Sequence, residues 1–86
     1  MFVILTYDVA ARRTRKVLKT CRRYLTHVQK SVFEGVITPA KLERLKKELA
    51  AQITVNEDNV QIYEFESLRY GSKERIGKVI QNDHIF

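Results

Sequence analysis

The stretch Phe2–Asp8, FVILTYD, decides the fold, because it is apolar on both sides of a pleat and still ends on a carboxylate. Read as a β-strand, it puts Phe2, Ile4, Thr6 and Asp8 on one side and Val3, Leu5 and Tyr7 on the other. One side has to meet the chain's own helices and the other needs a further cover. A carboxylate at the end of such a run wants a partner from elsewhere: a cation, a helix end or a turn.

Outward from this strand, the segment from about Ala10 to Thr26 has helical spacing, with Val17, Leu18, Cys21, Tyr24 and Leu25 on one face. Arg12, Lys16, Lys19 and Arg23 gather on the opposite face, flanked by Arg15 and Arg22. HVQKSVFEG then alternates Val28 and Val32 against Gln29, Ser31 and Phe33, a strand pattern that Gly35 closes or bends. In VITPAKLERLKKELAAQI, Thr38 is placed to cap a second helix whose first residue is Pro39. Leu42, Leu45, Leu49 and Ile53 form its apolar seam, and Glu43 is spaced to pair with Lys47. NEDN reads as a turn before a third central strand, Val60 to Glu66. The remainder, RYGSKER and IGKVIQNDHIF, carries enough Ile, Val and Phe for one or two short strand pieces.

The order β, α, β, β, α, β is the split-βαβ, ferredoxin-like arrangement of the α+β class. Right-handed crossovers bring both helices to one face of the sheet. The other face stays open although the first strand is apolar there too, and the third carries Tyr63 and Phe65 on one side and Ile62 on the other. A second copy packed sheet to sheet is expected to cover it, with the C-terminal segment pairing against the partner's edge. A chain of 86 residues makes one domain with a thin core, which favours a homodimer. The core falls within about residues 1–66 and the dimerisation or docking segment within about 67–86.

At 44% hydrophobic residues with three glycines and one proline, the composition is that of a folded protein. A single cysteine, Cys21, excludes an intrachain disulfide framework and is expected in the core, and with only His27 and His84 beside it no zinc-ligand spacing exists. No apolar run is long enough to span a bilayer and no basic leader precedes the first strand, so a cytoplasmic protein without a membrane partner is expected. The net charge is +6, and between Ala10 and Phe33 lie eight Lys or Arg residues and no acid. Such a stripe attracts polyanions, although a solvated helix face that keeps a protein soluble has the same look.

YDV at the end of the first strand, HVQKSVFEG, LERLKKEL and DNVQIYEF, in that order between about Phe2 and Glu66, resemble the family of CRISPR-associated protein two. The resemblance implies a ferredoxin-like homodimer in which the two copies of Asp8 approach the dyad and hold Mg²⁺ or another divalent cation such as Mn²⁺. Asp8 is then both metal ligand and catalytic residue of an endonuclease, with single-stranded RNA the expected substrate. Asp8 as a helix N-cap, accepting from the amide of Ala10 or Ala11, is the structural alternative. The resemblance also implies a partner, the CRISPR integrase (CRISPR-associated protein one), and a part in spacer DNA integration. A non-catalytic adaptor that binds duplex DNA and bridges integrase subunits is the competing role.

On this reading Arg12, Arg13, Arg15, Lys16 and Lys19 contact nucleic acid, and Arg15 and Lys16 align best with the family's basic helix positions. Tyr7, His27, Ser31 and Phe33 are supporting residues: Tyr7 and Phe33 through packing, Ser31 through a water or phosphate near Asp8. His27 stands where the family often has a basic residue, so an arginine role does not carry over to it. A generic RNA-binding module of the same fold is disfavoured because the aromatic signature of its exposed sheet is missing. A small-ligand sensor would want a glycine-rich loop, which is missing too.

Overall fold

The computed structural model describes residues 1–66 and orders them β1 (Phe2–Asp8), α1 (Ala11–Arg22), β2 (Thr26–Gln29), β3 (Val32–Val36), α2 (Pro39–Gln52) and β4 (Asn59–Phe65). The strands form one sheet in the order β2-β3-β1-β4, and each neighbouring pair is antiparallel. Consecutive strands joined through a helix are separated by one strand, so this is the split-βαβ, ferredoxin-like topology. The expected C-terminal strand pieces and docking segment lie outside the described residues.

The pleat of β1 divides as its sequence requires. Val3, Leu5 and Tyr7 are buried, whereas Phe2, Ile4 and Thr6 are half-buried and Asp8 is exposed. The buried set joins Phe33 of β3, Val17 and Cys21 of α1, and Leu42, Leu45 and Leu49 of α2 in one core. Both helices therefore cover the same face of the sheet. They are tied to each other by Gln52, which donates through Nε2 to Thr20 Oγ1 at 2.7 Å.

Helix α2 begins where its sequence places it. Thr38 has extended backbone, Pro39 follows at the first helical position, and Thr38 Oγ1 accepts from the Lys41 amide at 3.2 Å. The Glu43–Lys47 pair is not formed; Lys46 instead reaches Glu64 of β4 at 3.5 Å. Helix α1 ends earlier than its apolar spacing predicts. The amides of Tyr24 and Leu25 both donate to the Cys21 carbonyl, a turn that tips the chain into β2 while keeping Leu25 buried.

HVQKSVFEG is the clearest departure from the sequence reading, because its single alternation covers a hairpin of two strands. β2 and β3 meet with His27 opposite Phe33 and Gln29 opposite Val32, an irregular step at Val28 breaking the period. His27 and Phe33 thus point inward, and Val28 and Val32 are only half-buried.

The face of the sheet away from the helices is open. The register aligns Phe2 with Val36 and Phe65, and Ile4 with Glu34 and Tyr63, so these side chains share that face. Val36 is 73% exposed, Tyr63 50% and Phe65 45%. The rings of Phe2 and Phe65 meet at 6.2 Å.

Candidate functional site

Asp8 closes β1 on the open face, in line with Phe2, Ile4 and Thr6 and opposite Asn59 of β4. Its side chain is exposed and, among the described residues, accepts no hydrogen bond and forms no ion pair. Only Val9 and Ala10 separate it from α1. The N-cap position belongs to Ala10, which has no capping side chain.

The cap comes from across the fold. Asp58, in the turn before β4, accepts from the Ala10 amide through Oδ1 at 2.8 Å and from the Thr54 amide through Oδ2 at 2.8 Å. Arg13 completes it, with Nε 2.5 Å from Asp58 Oδ2 and Nη2 3.0 Å from Oδ1. The Asp58 side chain has no exposed surface and that of Arg13 is 13% exposed. Asp58 is therefore held well below the usual carboxylate range, first by the Arg13 guanidinium, with the Thr54 and Ala10 amides adding to it against the cost of desolvation. The alternative role for Asp8, cap of α1, is overturned: the Ala10 amide is taken by Asp58. Sequence reading passed over Asp58 as part of a turn. Its signal was Glu57 and Asp58 standing together just before a strand that pairs with β1, beside a helix carrying only cations.

The basic residues of α1 divide accordingly. Arg13 is spent on Asp58 and on Glu57, whose Oε1 it reaches at 2.6 Å, and Arg12 reaches the same Oε1 at 2.6 Å from a far more exposed position. Hydrogen bonding from Arg13, with Arg12 nearby, lowers the Glu57 pKa. Arg15, Lys16 and Lys19 are exposed and form no ion pair among the described residues. With Arg22, likewise exposed and in no ion pair among the described residues, they are the unpaired positive charge of the helix.

The supporting aromatics lie on the helix side of the sheet, away from Asp8. Tyr7, Phe33 and His27 form a row: Tyr7 stacks on Phe33 at 6.2 Å and His27 on Phe33 at 4.6 Å. The Lys30 carbonyl accepts from the Tyr7 hydroxyl at 3.4 Å and lies 3.2 Å from His27 Nε2. Burial raises the Tyr7 pKa. His27 is 3% exposed, which makes it part of the core wall. Ser31 stands in the hairpin turn, where its carbonyl accepts from the Tyr7 amide at 3.1 Å and extends β1 pairing up to the residue before Asp8. Cys21 is a buried thiol pushed up to about 12 by desolvation, which removes it from nucleophilic chemistry.

Among the described residues no group of three or more His, Cys, Asp or Glu side chains converges on a point that would hold a metal ion. One exposed carboxylate that accepts no hydrogen bond among the described residues is a single ligand of the kind a hard cation takes, and no second carboxylate joins it among those residues. No helix among the described residues is long and apolar enough to cross a membrane.

Compared with known proteins, residues 1–83 match the family model described as CRISPR associated protein Cas2. The chain belongs to the Cas2 family. Among curated Cas2 relatives, the "CRISPR-associated endoribonuclease Cas2" of Dictyoglomus turgidum is 46% identical over 90% of this chain and 88% of its own. The protein of the same name from Thermotoga maritima is 43% identical over the same shares. Solved Cas2 structures agree in fold. One titled "Crystal structure of cas2" superposes with a TM-score of 0.81 at 34% identity, covering 92% of this chain and 88% of that one. Streptococcus pyogenes Cas2 gives 0.72 at 32% identity over 87% of this chain and all of its own.

Proposed function

We propose that this Cas2 chain acts as a homodimeric, divalent-cation-dependent endoribonuclease on single-stranded RNA, with its hydrolytic site formed where two Asp8 carboxylates meet. The observation that carries this reading is one of placement. The only carboxylate at the end of β1 is exposed, lacks an internal donor among the described residues, and lies on the same sheet face whose apolar side chains call for a second copy. The relatives' name, endoribonuclease, supports it.

Mg²⁺ binds roughly six oxygens, so one Asp8 per chain is too few and two, with waters and a substrate phosphate, are a fitting set. When bound, Mg²⁺ or Mn²⁺ supplies charge to offset that on the phosphoryl oxygens and makes water a better nucleophile. The chain's own residues do the rest. Asp8 holds the cation at the strand end. The Tyr7–Phe33–His27 row and the Ser31 carbonyl fix the last residues of β1 beneath it. Arg15, Lys16 and Lys19, in no ion pair among the described residues, draw the phosphodiester backbone towards α1.

A second role is supported by the same cations, which need no catalysis: a dimer that holds duplex DNA across the two α1 helices while the CRISPR integrase carries out spacer integration. Labelled single-stranded RNA and duplex DNA, each incubated with Mg²⁺ or with chelator, separate the two. RNA cleavage that needs both metal and Asp8 is expected; cleavage undiminished in Asp8→Asn overturns the hydrolytic reading. Binding of duplex without cleavage, with co-purification of the integrase, favours the adaptor. Light scattering at micromolar concentration is expected to give about twice the 10.1 kDa chain mass, and a monomer contradicts both roles.

A further inference from the structure

At the end of the protomer remote from Asp8, the C-terminal turn of α1 and the start of α2 enclose a cleft of about 390 Å³. Arg23, Lys41 and Arg44 line it, over Tyr24, Ile37 and Thr38. Its position follows from the sheet. The Ile37 amide donates to the Met1 carbonyl at 2.9 Å, so the cleft lies beside the beginning of β1, and Asp8 is at the other end of that strand, which is itself about 20 Å long at the usual rise per residue and sets the least separation of the two.

The charges here are unbalanced. Glu48 accepts from both the Arg23 guanidinium and the Tyr24 hydroxyl, which anchors Arg23 at the rim and neutralises one cation of the three. Lys41 and Arg44 are exposed and form no ion pair among the described residues. Three positions apart on α2, they stand side by side with like charge, an arrangement that is unfavourable in an empty cleft and is relieved by an anion between them. Arg23 also closes the line Arg12, Lys16, Lys19, Arg23 along α1, in which Lys16 and Lys19 form no ion pair among the described residues, and this line begins four residues after Asp8.

We infer that this cleft is a second phosphate subsite, in which Lys41 and Arg44, with Arg23 at the rim, take a backbone phosphate of the RNA strand whose scissile bond lies at Asp8. The inference rests on the nucleic-acid reading above and adds to it a direction and a length. A strand stacked at about 3.4 Å per nucleotide needs roughly six nucleotides to cross about 20 Å. Oligonucleotides shorter than that reach only one end of the track.

The test measures binding of fluorescent single-stranded RNA, about 4 and about 12 nucleotides long, in chelator across a range of NaCl concentrations, the longer being well beyond the roughly six needed. Native chain is compared with the Lys41→Gln, Arg44→Gln double variant and with Lys47→Gln, an exposed cation of α2 outside the cleft. For the longer RNA the double variant is expected to flatten the slope of log affinity against log salt by about 1.4, or 0.7 for each lost contact to a single strand. With the shorter RNA, which divides between the two ends of the track, the flattening should be smaller, and Lys47→Gln with either length should follow the native line. An unchanged slope for the longer RNA, or equal losses at both lengths, overturns the subsite while leaving the Asp8 reading intact. Failure of native chain to bind either RNA in a salt-dependent way overturns both.

Discussion

Two aspartates meet the start of α1, and they have opposite surroundings. The Asp58 side chain is fully buried and bonded to Arg13 and to the amides of Ala10 and Thr54; Asp8 is exposed, on the far side of the β1–α1 corner, with no side-chain partner among the described residues. The difference teaches that this corner assigns its carboxylates to separate tasks. Because Asp58 satisfies the helix end, Asp8 is released from capping and remains available to an external cation. A chain that capped α1 with Asp8 would have spent the group on its own amide protons.

The largest break in this comparison is expected from Asp8→Asn. It should lower metal-dependent RNA cleavage by at least about two orders of magnitude, the scale on which removing a group that offsets transition-state charge is felt. The melting temperature should stay near that of native chain, because Asp8 makes no side-chain hydrogen bond or ion pair among the described residues. Asp58→Ala should do the reverse: it leaves a guanidinium and two amides without their acceptor, and thermal melts should show a drop of several degrees or more.

Acid titration sharpens the same contrast. The folded-state pKa of Asp58 is depressed, so its contribution is present above the unfolded value of about 3.9 and is lost as pH falls through the folded value. Melts followed downward from about pH 5 should show stability declining in native chain and a shallower decline in Asp58→Asn. Smallest is the effect at the other helix. α2 is capped locally by Thr38 rather than from across the fold, and Thr38→Ala should cost about 1 kcal/mol in denaturant unfolding.

Local signals explain which parts of this arrangement were legible in the sequence. The pleat of β1, the Thr38–Pro39 start of α2 and its Leu42, Leu45, Leu49 seam each depend on neighbours within a few residues, and each is found where the spacing put it. The order held two strands between the helices, but the turn that divides HVQKSVFEG was not marked, because Lys30 and Ser31 carry no Gly or Asn and the step at Val28 shifts the alternation. The inward turn of His27 follows from that step. Asp58 was hidden for a different reason: its bond to Ala10 joins residues 48 apart, and only the pairing of β4 with β1 brings them together. The exposed apolar face was visible as an unpaired pattern; the ferredoxin-like topology, which puts both helices on the opposite side, makes it a surface.

Everything proposed for catalysis depends on two chains sharing one ion through Asp8. Calorimetric titration of the purified protein with Mn²⁺ tests this most directly, since it needs neither substrate nor turnover. One ion per two chains, with the heat lost in Asp8→Asn, is the predicted result. A stoichiometry of one ion per chain, or an isotherm that Asp8→Asn leaves unchanged, would contradict the account.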